Sequence, residues 1–476
     1  MKNKTFLFYD IETTGLNYVF DQVLQFAAIR TDSALKELTR HEIKVKLRPD
    51  VICSPGALLT HRISVAESLT GTCEFEATQE IHSLLNEPGT ISLGYNTLGF
   101  DDEFLRFSFY RNLLPPYTHQ YANGCGRTDL YPLAAIYRLY KNEILKWPEA
   151  EGKPSLKLAN LNAANNLAQG QAHDALVDVE ATVGLARILA RETEMWNYLL
   201  TCFNKKTDEA RIAKLPHFFQ SIDGDHRLGI MVNGRFGATA KYQAPVISIG
   251  DSVPYTNQNL WMRLDLPELQ ELTSDTISDF HIIRKRYGEP GIILPPYERF
   301  KKPLVTERRT IVDANKKWLL AHPKLFHEFI HFHRNYRYPI IPDLDADAAL
   351  YQLGFPTANE KRLQHAFHKA PLSDKADIIP KLPRPETRDL AIRVIARNYP
   401  QALPQELSKT YKAYKNKLNP SKDEDALLDY KGNKRATPAG VLAEIEQIKT
   451  KSDSELDEEQ LELMNDLASY IESHFK

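Results

Sequence analysis

A short acidic motif lies near the N-terminus, directly after an apolar run. The residues Phe6–Tyr9 lead into Asp10 and Glu12 within the sequence D-I-E-T-T-G. Side chains two residues apart on a β-strand point to the same face, so the two carboxylates should be adjacent. Adjacent anions repel each other and resist burial. A hard divalent cation with oxygen ligands, such as Mg²⁺, would relieve both costs. The motif therefore predicts a metal site.

Two later motifs supply further candidate residues. Asp101 follows the apolar run Ile91–Tyr95 and the segment N-T-L-G-F. His173 and Asp178 stand in H-D-A-L-V-D, where a helical pattern begins. His173 is a candidate general base because imidazole titrates near neutral pH. Short motifs recur by chance, and a lone Asp is more often a helix cap. Three such motifs in order, each beside a predicted strand or helix, favour a catalytic site.

A separate motif, H-E-F-I-H at 327–331, matches the H-E-x-x-H pattern of zinc proteases. His327 and His331 would share one helix face. However, Arg334 stands where one group of these proteases requires glycine, and no downstream glutamate ligand is evident. The alternative is a basic, histidine-rich helix, and the sequence leaves open whether the motif binds any metal.

The elements that must position these residues form an α/β pattern over 1–193. Strands before strand–helix alternation suit a mixed sheet flanked by helices. Apolar runs predict strands at Thr5–Asp10, Val23–Arg30, Glu42–Leu47 and Thr90–Tyr95. Helical periodicity appears at Phe75–Leu85, Glu103–Leu113, Leu130–Tyr140, Leu156–Asn165 and Ala175–Arg191.

The chain changes character twice more. Short β-like runs separated by turn signals predict a β-rich domain with helical insertions over 194–348, and a helical pattern covers 349–476. Basic and aromatic residues interleave in the middle domain, as they do where a protein binds single-stranded nucleic acid. A solvated charged surface is the alternative. The residues concerned are Arg235, Phe236, Lys241, Tyr242, Arg284, Lys285, Arg286, Tyr287, Arg299, Lys301, Lys302, Arg308 and Arg309.

Composition excludes several classes of protein. The 476 residues suggest about three domains, and 42% hydrophobic with 26% charged residues is typical of a globular protein. The sequence contains no run of 18 apolar residues, so it predicts no membrane span. The acidic motif comes too early for the apolar region of a signal peptide. A net charge of −2 means that any nucleic-acid binding must come from a local basic surface. The four cysteines lack C-x-x-C spacing, which favours reduced thiols in a cytoplasmic protein.

The three acidic motifs resemble those of the DEDDh 3′→5′ exonucleases, which have the ribonuclease H-like fold. The three-part layout is similar to that of the bacterial exonuclease I (exodeoxyribonuclease I) family. Gly94-Tyr95-Asn96 and Phe109-Tyr110-Arg111-Asn112 carry this resemblance further, and it weakens beyond residue 193. It implies an α/β ribonuclease H-like exonuclease domain, then a β-rich SH3-like domain, then an α-helical C-terminal domain.

The resemblance also implies roles for individual residues. Asp10, Glu12, Asp101 and Asp178 would bind two Mg²⁺ ions, for which Mn²⁺ can substitute, and His173 would be the general base. Asp101 is preferred to its neighbour Asp102 because it fits the F-D-x-x-F-L register. Substrate contacts would come from Glu12, Thr13, Asn96 and Lys157. Lys157 stands where relatives often have arginine, so a cation is kept but bidentate phosphate geometry is lost.

The function expected from this resemblance is Mg²⁺-dependent 3′→5′ degradation of single-stranded DNA to nucleoside 5′-monophosphates in DNA repair and recombination. The alternatives are an exoribonuclease with the same chemistry and a non-catalytic single-strand-binding protein. The expected partners are single-stranded DNA and the C-terminal tail of single-stranded DNA-binding protein. We further expect a cytoplasmic monomer without a membrane anchor.

Overall fold

The computed structural model describes residues 4–170, 174–420, 423–452 and 456–475. The N-terminal region is an α/β unit built around one mixed sheet. Its elements are β1 (Thr5–Thr13), β2 (Val23–Thr31), β3 (Glu37–Lys44), α1 (Pro55–His61), α2 (Val65–Ser68), α3 (Glu74–Asn86), β4 (Thr90–Gly94), α4 (Asp101–Arg111), β5 (Gly126–Asp129), α5 (Leu130–Tyr140), β6 (Glu149–Ala150), β7 (Lys153–Pro154), α6 (Leu158–Asn165), α7 (Ala175–Leu189), α8 (Thr193–Leu200) and α9 (Lys205–Ile212).

The sheet places β1 at its centre, in the order β3-β2-β1-β4-β5. β1 pairs antiparallel with β2 and parallel with β4, and β4 pairs parallel with β5. Alternate side chains of β1 enter different cores. Phe6 and Phe8 pack with α5 and α7, whereas Leu7, Tyr9 and Ile11 pack with α3 and α4. By the same alternation, Asp10 and Glu12 belong to the face covered by α7.

The middle region is an antiparallel sheet with two long helices against it. The elements are β8 (His217–Ser221), β9 (Gly224–Val232), β10 (Gln243–Asp251), β11 (Gln258–Arg263), β12 (Ile283–Arg286), β13 (Ile292–Leu294), α10 (Glu298–Lys301), α11 (Thr306–Ala321) and α12 (Pro323–Asn335). The strand order is β12-β11-β10-β9-β13, and β8 pairs with β9. Apolar side chains of β10 and β11 pack against α11 and α12 in a core separate from that of the N-terminal sheet.

The C-terminal region is helical and packs directly on the N-terminal unit. Its helices are α13 (Ala358–Lys369), α14 (Lys375–Ile378), α15 (Pro385–Asn398), α16 (Gln405–Leu418), α17 (Pro438–Ser452) and α18 (Glu458–His474). Val441, Ile445 and Leu467 of the last two helices share a core with Leu58 of α1. Within the described ranges, no helix is both long enough and apolar enough to cross a membrane.

A buried group of charges joins the first and last regions. Arg397 of α15 donates from Nε to Asp50 Oδ2 at 2.7 Å and from Nη2 to Asp347 Oδ2 at 2.6 Å. Arg393 and Arg48 complete this interdomain cluster through ion pairs to Asp347 and Asp50. The neighbouring guanidinium groups outweigh burial and lower the pKa of Asp50 to about 2. They also hold the pKa of Asp347 well below its usual range.

Candidate active site

Three of the predicted carboxylates meet at the end of β1. Asp10 and Glu12 extend from β1, and Asp178 lies in the first turn of α7. Oxygen atoms of these three residues lie within 4.8 Å of one another, close enough to share a metal ion. Asp174 caps α7 by accepting from the backbone N–H groups of Leu176 and Val177, which fixes the start of the helix that carries Asp178. We call Asp10, Glu12 and Asp178 the carboxylate trio.

Asp101 stands beside the trio but has a partner of its own. It is the first residue of α4 and is buried, and its Oδ1 accepts a hydrogen bond from the backbone N–H of Ile11 at 3.2 Å. Ile11 lies between Asp10 and Glu12 on β1, so Asp101 is anchored to the strand that carries two of the trio. The predicted role of Asp101 as a metal-binding residue stays a prediction. Asp102, the neighbour that could be confused with it, forms ion pairs with Arg106 and Arg127 instead.

The electrostatics of the site favour a bound cation. Burial, together with the carboxylates of Asp101, Glu12 and Asp178, raises the pKa of Asp10 well above its usual range. Burial and the neighbouring Asp178 and Asp101 raise the pKa of Glu12 to about 8. Burial likewise raises the pKa of Asp101 to about 8. Unlike Asp102, these groups are crowded by other anions, so a divalent cation would supply the missing positive charge.

The other predicted site residues lie in different surroundings. His173, the predicted general base, lies outside the described residues. Thr13 ends β1 and donates its hydroxyl to the carbonyl oxygen of Gly15 at 2.7 Å. Asn96 is exposed, adopts a left-handed backbone conformation with φ of 67°, and lines a large groove. Lys157 is exposed at the start of α6. Their roles in substrate binding stay predictions.

The groove lies between the N-terminal and middle regions and has a volume of about 750 Å³. Its N-terminal wall includes Asn96 and Asp129. Its middle-domain wall carries cations beside aromatic rings. The guanidinium of Arg284 lies 4.6 Å from the ring centre of Tyr336, and that of Arg263 lies 5.0 Å from Phe236. Further groove residues are Arg235, Arg286, Glu289, Phe332, His333 and Tyr338.

Several members of the predicted basic–aromatic set do not face this groove freely. Lys285 is 3% exposed and donates from Nζ to Asp208 Oδ2 at 2.6 Å, so it is a structural cation. Arg308 forms an ion pair with Asp265, and Tyr242 is buried with its hydroxyl bonded to the Pro154 carbonyl. The sequence shows which residues are basic or aromatic, but it does not show where their side chains point. A lysine buried in a sheet therefore cannot be distinguished in sequence from a lysine that lines a groove.

The H-E-x-x-H match does not form a zinc-protease site in the described part of the chain. His327 and His331 lie one turn apart on α12, but His327 Nδ1 contacts both carboxylate oxygens of Asp223 at 2.9 and 3.0 Å. Glu328 accepts from Ser274 at 2.7 Å. Among those residues, the carboxylate trio is the group with three clustered metal-ligand side chains.

Sequence reasoning missed Asp129, which organises the loop before Asp101. Its carboxylate accepts from the backbone N–H groups of Asn96, Leu98 and Tyr131 at 2.8–3.1 Å. Burial outweighs these bonds and raises the pKa of Asp129 to about 6. The available signal was an aspartate just before the helical run of α5, which is a helix-cap position. That signal predicts the bond to Tyr131 but not the other two, which depend on the fold.

Family models match two parts of the chain. The model described as Exonuclease matches residues 7–186, and the model of the exonuclease I C-terminal domain matches residues 344–474. The chain is 29% identical to exodeoxyribonuclease I of Escherichia coli (strain K12) over 84% of this chain and 87% of that protein. It is 32% identical to exodeoxyribonuclease I of Haemophilus influenzae over 66% of each chain.

The fold has a match along nearly its whole length. A crystal structure of E. coli exonuclease I in complex with a dA16 oligonucleotide aligns with a TM-score of 0.85 and 24% sequence identity, covering 99% of this chain and 100% of that one. The match confirms the predicted fold class of an exonuclease domain, a β-rich middle and a helical C-terminal domain. The domain limits at 193 and 348 stay predictions. With its two matched family models and its curated relatives, this chain is an enzyme of the nuclease class and belongs to the bacterial exonuclease I family.

Proposed function

We propose that this protein degrades single-stranded DNA from its 3′ end, releasing nucleoside 5′-monophosphates with two Mg²⁺ ions as cofactor. The observation that carries this proposal is the carboxylate trio, whose oxygen atoms converge within 4.8 Å. Family membership supports DNA as the substrate, because the curated relatives are exodeoxyribonucleases.

The donor set fits hard divalent cations. All of the nearby ligands are carboxylate oxygens, which Mg²⁺ and Mn²⁺ prefer, and neither cysteine nor a described histidine joins them. Burial first, and then the neighbouring carboxylates, raise the pKa values of Asp10 and Glu12, so a bound cation would relieve both costs. Two bound ions about 3.5–4 Å apart would polarise the phosphate, activate water and stabilise the leaving oxygen.

Each residue of the site then has a defined task. Asp10 would hold both ions, and Glu12 and Asp178 would help to hold the ion that supplies the attacking water. Asp101, fixed to the Ile11 N–H, would help to hold the other ion through water. His173 accepts the proton of the attacking water, a task that suits a group titrating near neutral pH. Thr13, Asn96 and Lys157 bind the terminal nucleotides.

The groove supports a single strand as substrate. Arg263 with Phe236, and Arg284 with Tyr336, combine a cation for the backbone with a ring face on which a base can stack. Such pairs bind any base, because every base has an aromatic face. A duplex keeps its bases stacked on one another, so it cannot use these surfaces.

The test is an assay with end-labelled single-stranded DNA, duplex DNA and single-stranded RNA, each with Mg²⁺ or EDTA. We expect rapid release of mononucleotides from the 3′ end of single-stranded DNA with Mg²⁺ and none with EDTA. Much slower digestion of duplex DNA and RNA should accompany it. Digestion of single-stranded RNA faster than single-stranded DNA would show that RNA, not DNA, is the substrate. Absence of digestion in all mixtures would favour a non-catalytic binding protein.

We propose the remaining properties on family membership. They are binding to the C-terminal tail of single-stranded DNA-binding protein, a role in DNA repair and recombination, a cytoplasmic location and a monomeric state. The partner is tested by calorimetry with intact and tail-deleted single-stranded DNA-binding protein. Equal binding of the two forms would contradict the tail as the contact.

A further inference from the structure

The first turn of α4 carries two adjacent carboxylates in contrasting surroundings. Asp101 faces β1, whereas Asp102 is 1% exposed and faces a group of cations. Asp102 Oδ2 accepts from Arg106 Nη2 and from Arg127 Nη1, both at 2.6 Å, and its Oδ1 lies 2.9 Å from His119 Nε2. These three partners come from α4 itself, from β5 and from the loop between them. They therefore hold the turn from separate directions.

Arg127 extends this contact into the middle domain. Its second terminal nitrogen, Nη2, donates to Glu289 Oε1 at 3.3 Å. Glu289 lies in the turn between β12 and β13 and lines the groove. That turn is fixed from behind, because the buried Lys285 donates from Nζ to the Glu289 carbonyl at 3.0 Å and to Asp208 at 2.6 Å. A continuous set of charged contacts thus runs from the groove wall to the residue next to Asp101.

These charged contacts resist displacement because they are buried. Any movement of the Asp102 carboxylate would lengthen its buried ion pairs with Arg106 and Arg127, which is costly. The backbone of Asp101 shares that first helical turn, so the position of its carboxylate is constrained by the same contacts. Metal and reaction geometry tolerate little error, since a displacement of about 1 Å can cost on the order of 10²-fold in rate.

We propose that Asp102, Arg127 and Glu289 form a positioning relay that sets Asp101 relative to β1 and makes the metal site depend on the docked middle domain. This inference rests on the proposed role of Asp101 in metal binding. Asp102 and Arg127 act through Asp101 rather than on the substrate, so they are positioning residues. In this relay the middle domain contributes to the accuracy of the catalytic site as well as to the groove.

The test uses four variants of the full-length protein: Asp102→Asn, Arg127→Gln, Glu289→Gln and the control Glu298→Gln. Glu298 belongs to the same domain, and its ion pairs with Lys301 and Arg309 stay within that domain. Calorimetry without DNA measures Mn²⁺ affinity, and kinetics on a short single strand separate kcat from KM. We expect Asp102→Asn to weaken Mn²⁺ binding by about 10–100-fold, as loss of a residue that supports a metal ligand does, with kcat lowered and KM not raised. Glu289→Gln should show a smaller loss of the same kind, and Glu298→Gln none.

A double variant decides whether the three residues act in series. If Glu289 works through Arg127, Arg127→Gln/Glu289→Gln should match Arg127→Gln alone in Mn²⁺ affinity and kcat, whereas additive losses would overturn the relay. Should Asp102→Asn fail to fold by circular dichroism, the Arg127 and Glu289 variants decide the matter. Wild-type Mn²⁺ affinity and kcat in the folded variants would also overturn it. Failure of the proposed function would look different, because the wild-type protein would then release no mononucleotides from single-stranded DNA with Mg²⁺.

Discussion

The carboxylate trio and the interdomain cluster are built from the same residue types and differ in what surrounds them. In the interdomain cluster, Arg397 and Arg393 bracket Asp347, and its pKa falls well below the usual range. In the trio, Asp10 is buried and lies beside other carboxylates, and both factors raise its pKa. The first arrangement is balanced within the chain and holds two domains together. The second is unbalanced, which is the condition for binding an external cation.

The two groups should respond to pH with opposite signs. A carboxyl whose pKa is raised on folding binds more protons in the native state, so stability falls as pH rises towards the folded pKa. For Glu12 that window runs from 4.5 to about 8 in metal-free protein. A carboxyl whose pKa is lowered, such as Asp50, contributes stability above 3.8 that is lost as pH falls towards about 2. Mg²⁺ should reverse the loss of stability that the trio causes as pH rises, and it should not change the effect of Asp50.

The largest effect should come from Asp10→Asn, which breaks the trio. Hydrolysis of single-stranded DNA should be abolished, because the amide of asparagine cannot supply the anionic oxygen that a hard divalent cation prefers. Binding of the strand in EDTA should stay near the wild-type level, since the groove is untouched. The exposed substitution Asp313→Asn is the matched control, and both variants are compared by single-turnover kinetics. Substantial activity in Asp10→Asn would mean that the site is elsewhere.

His173→Ala sharpens the comparison by separating the base from the ligands. Turnover should fall by about 10²–10⁴-fold, the usual cost of losing a general base. Mn²⁺ affinity measured by calorimetry should not change, because His173 is not assigned as a ligand. A loss of metal affinity in this variant would place the imidazole among the ligands and contradict the assignment.

Arg397→Leu tests the balanced cluster. Removing one partner from a buried ion pair should lower the free energy of unfolding by about 3–5 kcal/mol, because Asp50 and Asp347 would remain buried without it. Urea denaturation measures the loss, with the exposed Arg362→Leu as control. The kcat of the folded fraction should be unchanged at a temperature well below melting. Equal unfolding midpoints for both variants would show that the cluster contributes little stability.

A smaller effect should appear in the response of melting temperature to Mg²⁺. Saturating Mg²⁺ should raise the melting temperature by a few degrees, because a ligand at about 100 times its Kd contributes about 2.7 kcal/mol. The shift should be larger at pH 8 than at pH 6, since binding requires deprotonated carboxylates whose pKa values are raised. Differential scanning fluorimetry measures the shift. A pH-independent shift, or an equal one in Asp10→Asn, would place the stabilising ion outside the trio.

The smallest effect concerns the groove. The double variant Arg284→Glu/Arg286→Glu should weaken single-strand binding and flatten its dependence on salt by about 0.7 for each phosphate that the protein no longer neutralises. Lys285 is left in place, because its buried ion pair with Asp208 holds the turn. Titration of a labelled strand at several salt concentrations provides the slope. An unchanged slope would remove these two arginines from the path of the strand.

Local signals in the sequence were enough to predict the central strand and the trio. The apolar run before Asp10 fixes β1, and the alternation of a strand fixes the common face of Asp10 and Glu12. The place of Asp178 is predictable from a different local signal, because its motif stands where a helical pattern begins. The set of motifs therefore predicted a site from residues far apart in sequence, and the structure brings Asp10, Glu12 and Asp178 of that set together.

The sequence did not predict features that depend on contacts between regions. The short strand β5 has the sequence G-R-T-D, which lacks an apolar run, and it forms because β4 offers a free edge. Asp102 and Lys285 resemble surface charges in sequence, yet both are buried by partners from other elements. The residues Phe332, Tyr336 and Tyr338 join the groove only because α12 ends beside β12. Whether such a side chain is buried, and where it points, depends on packing between regions, which local periodicity does not encode.

Metal binding by the trio is tested most directly by anomalous diffraction from a crystal of the protein soaked in Mn²⁺. We expect anomalous density between the carboxylates of Asp10, Glu12 and Asp178, within coordination distance of all three. We expect no such density at the interdomain cluster, where arginines already balance the carboxylates. Crystals of Asp10→Asn grown and soaked in the same way should lose the peak. Mn²⁺ bound at another carboxylate group, with none at the trio, would contradict the assignment of the trio as the metal site.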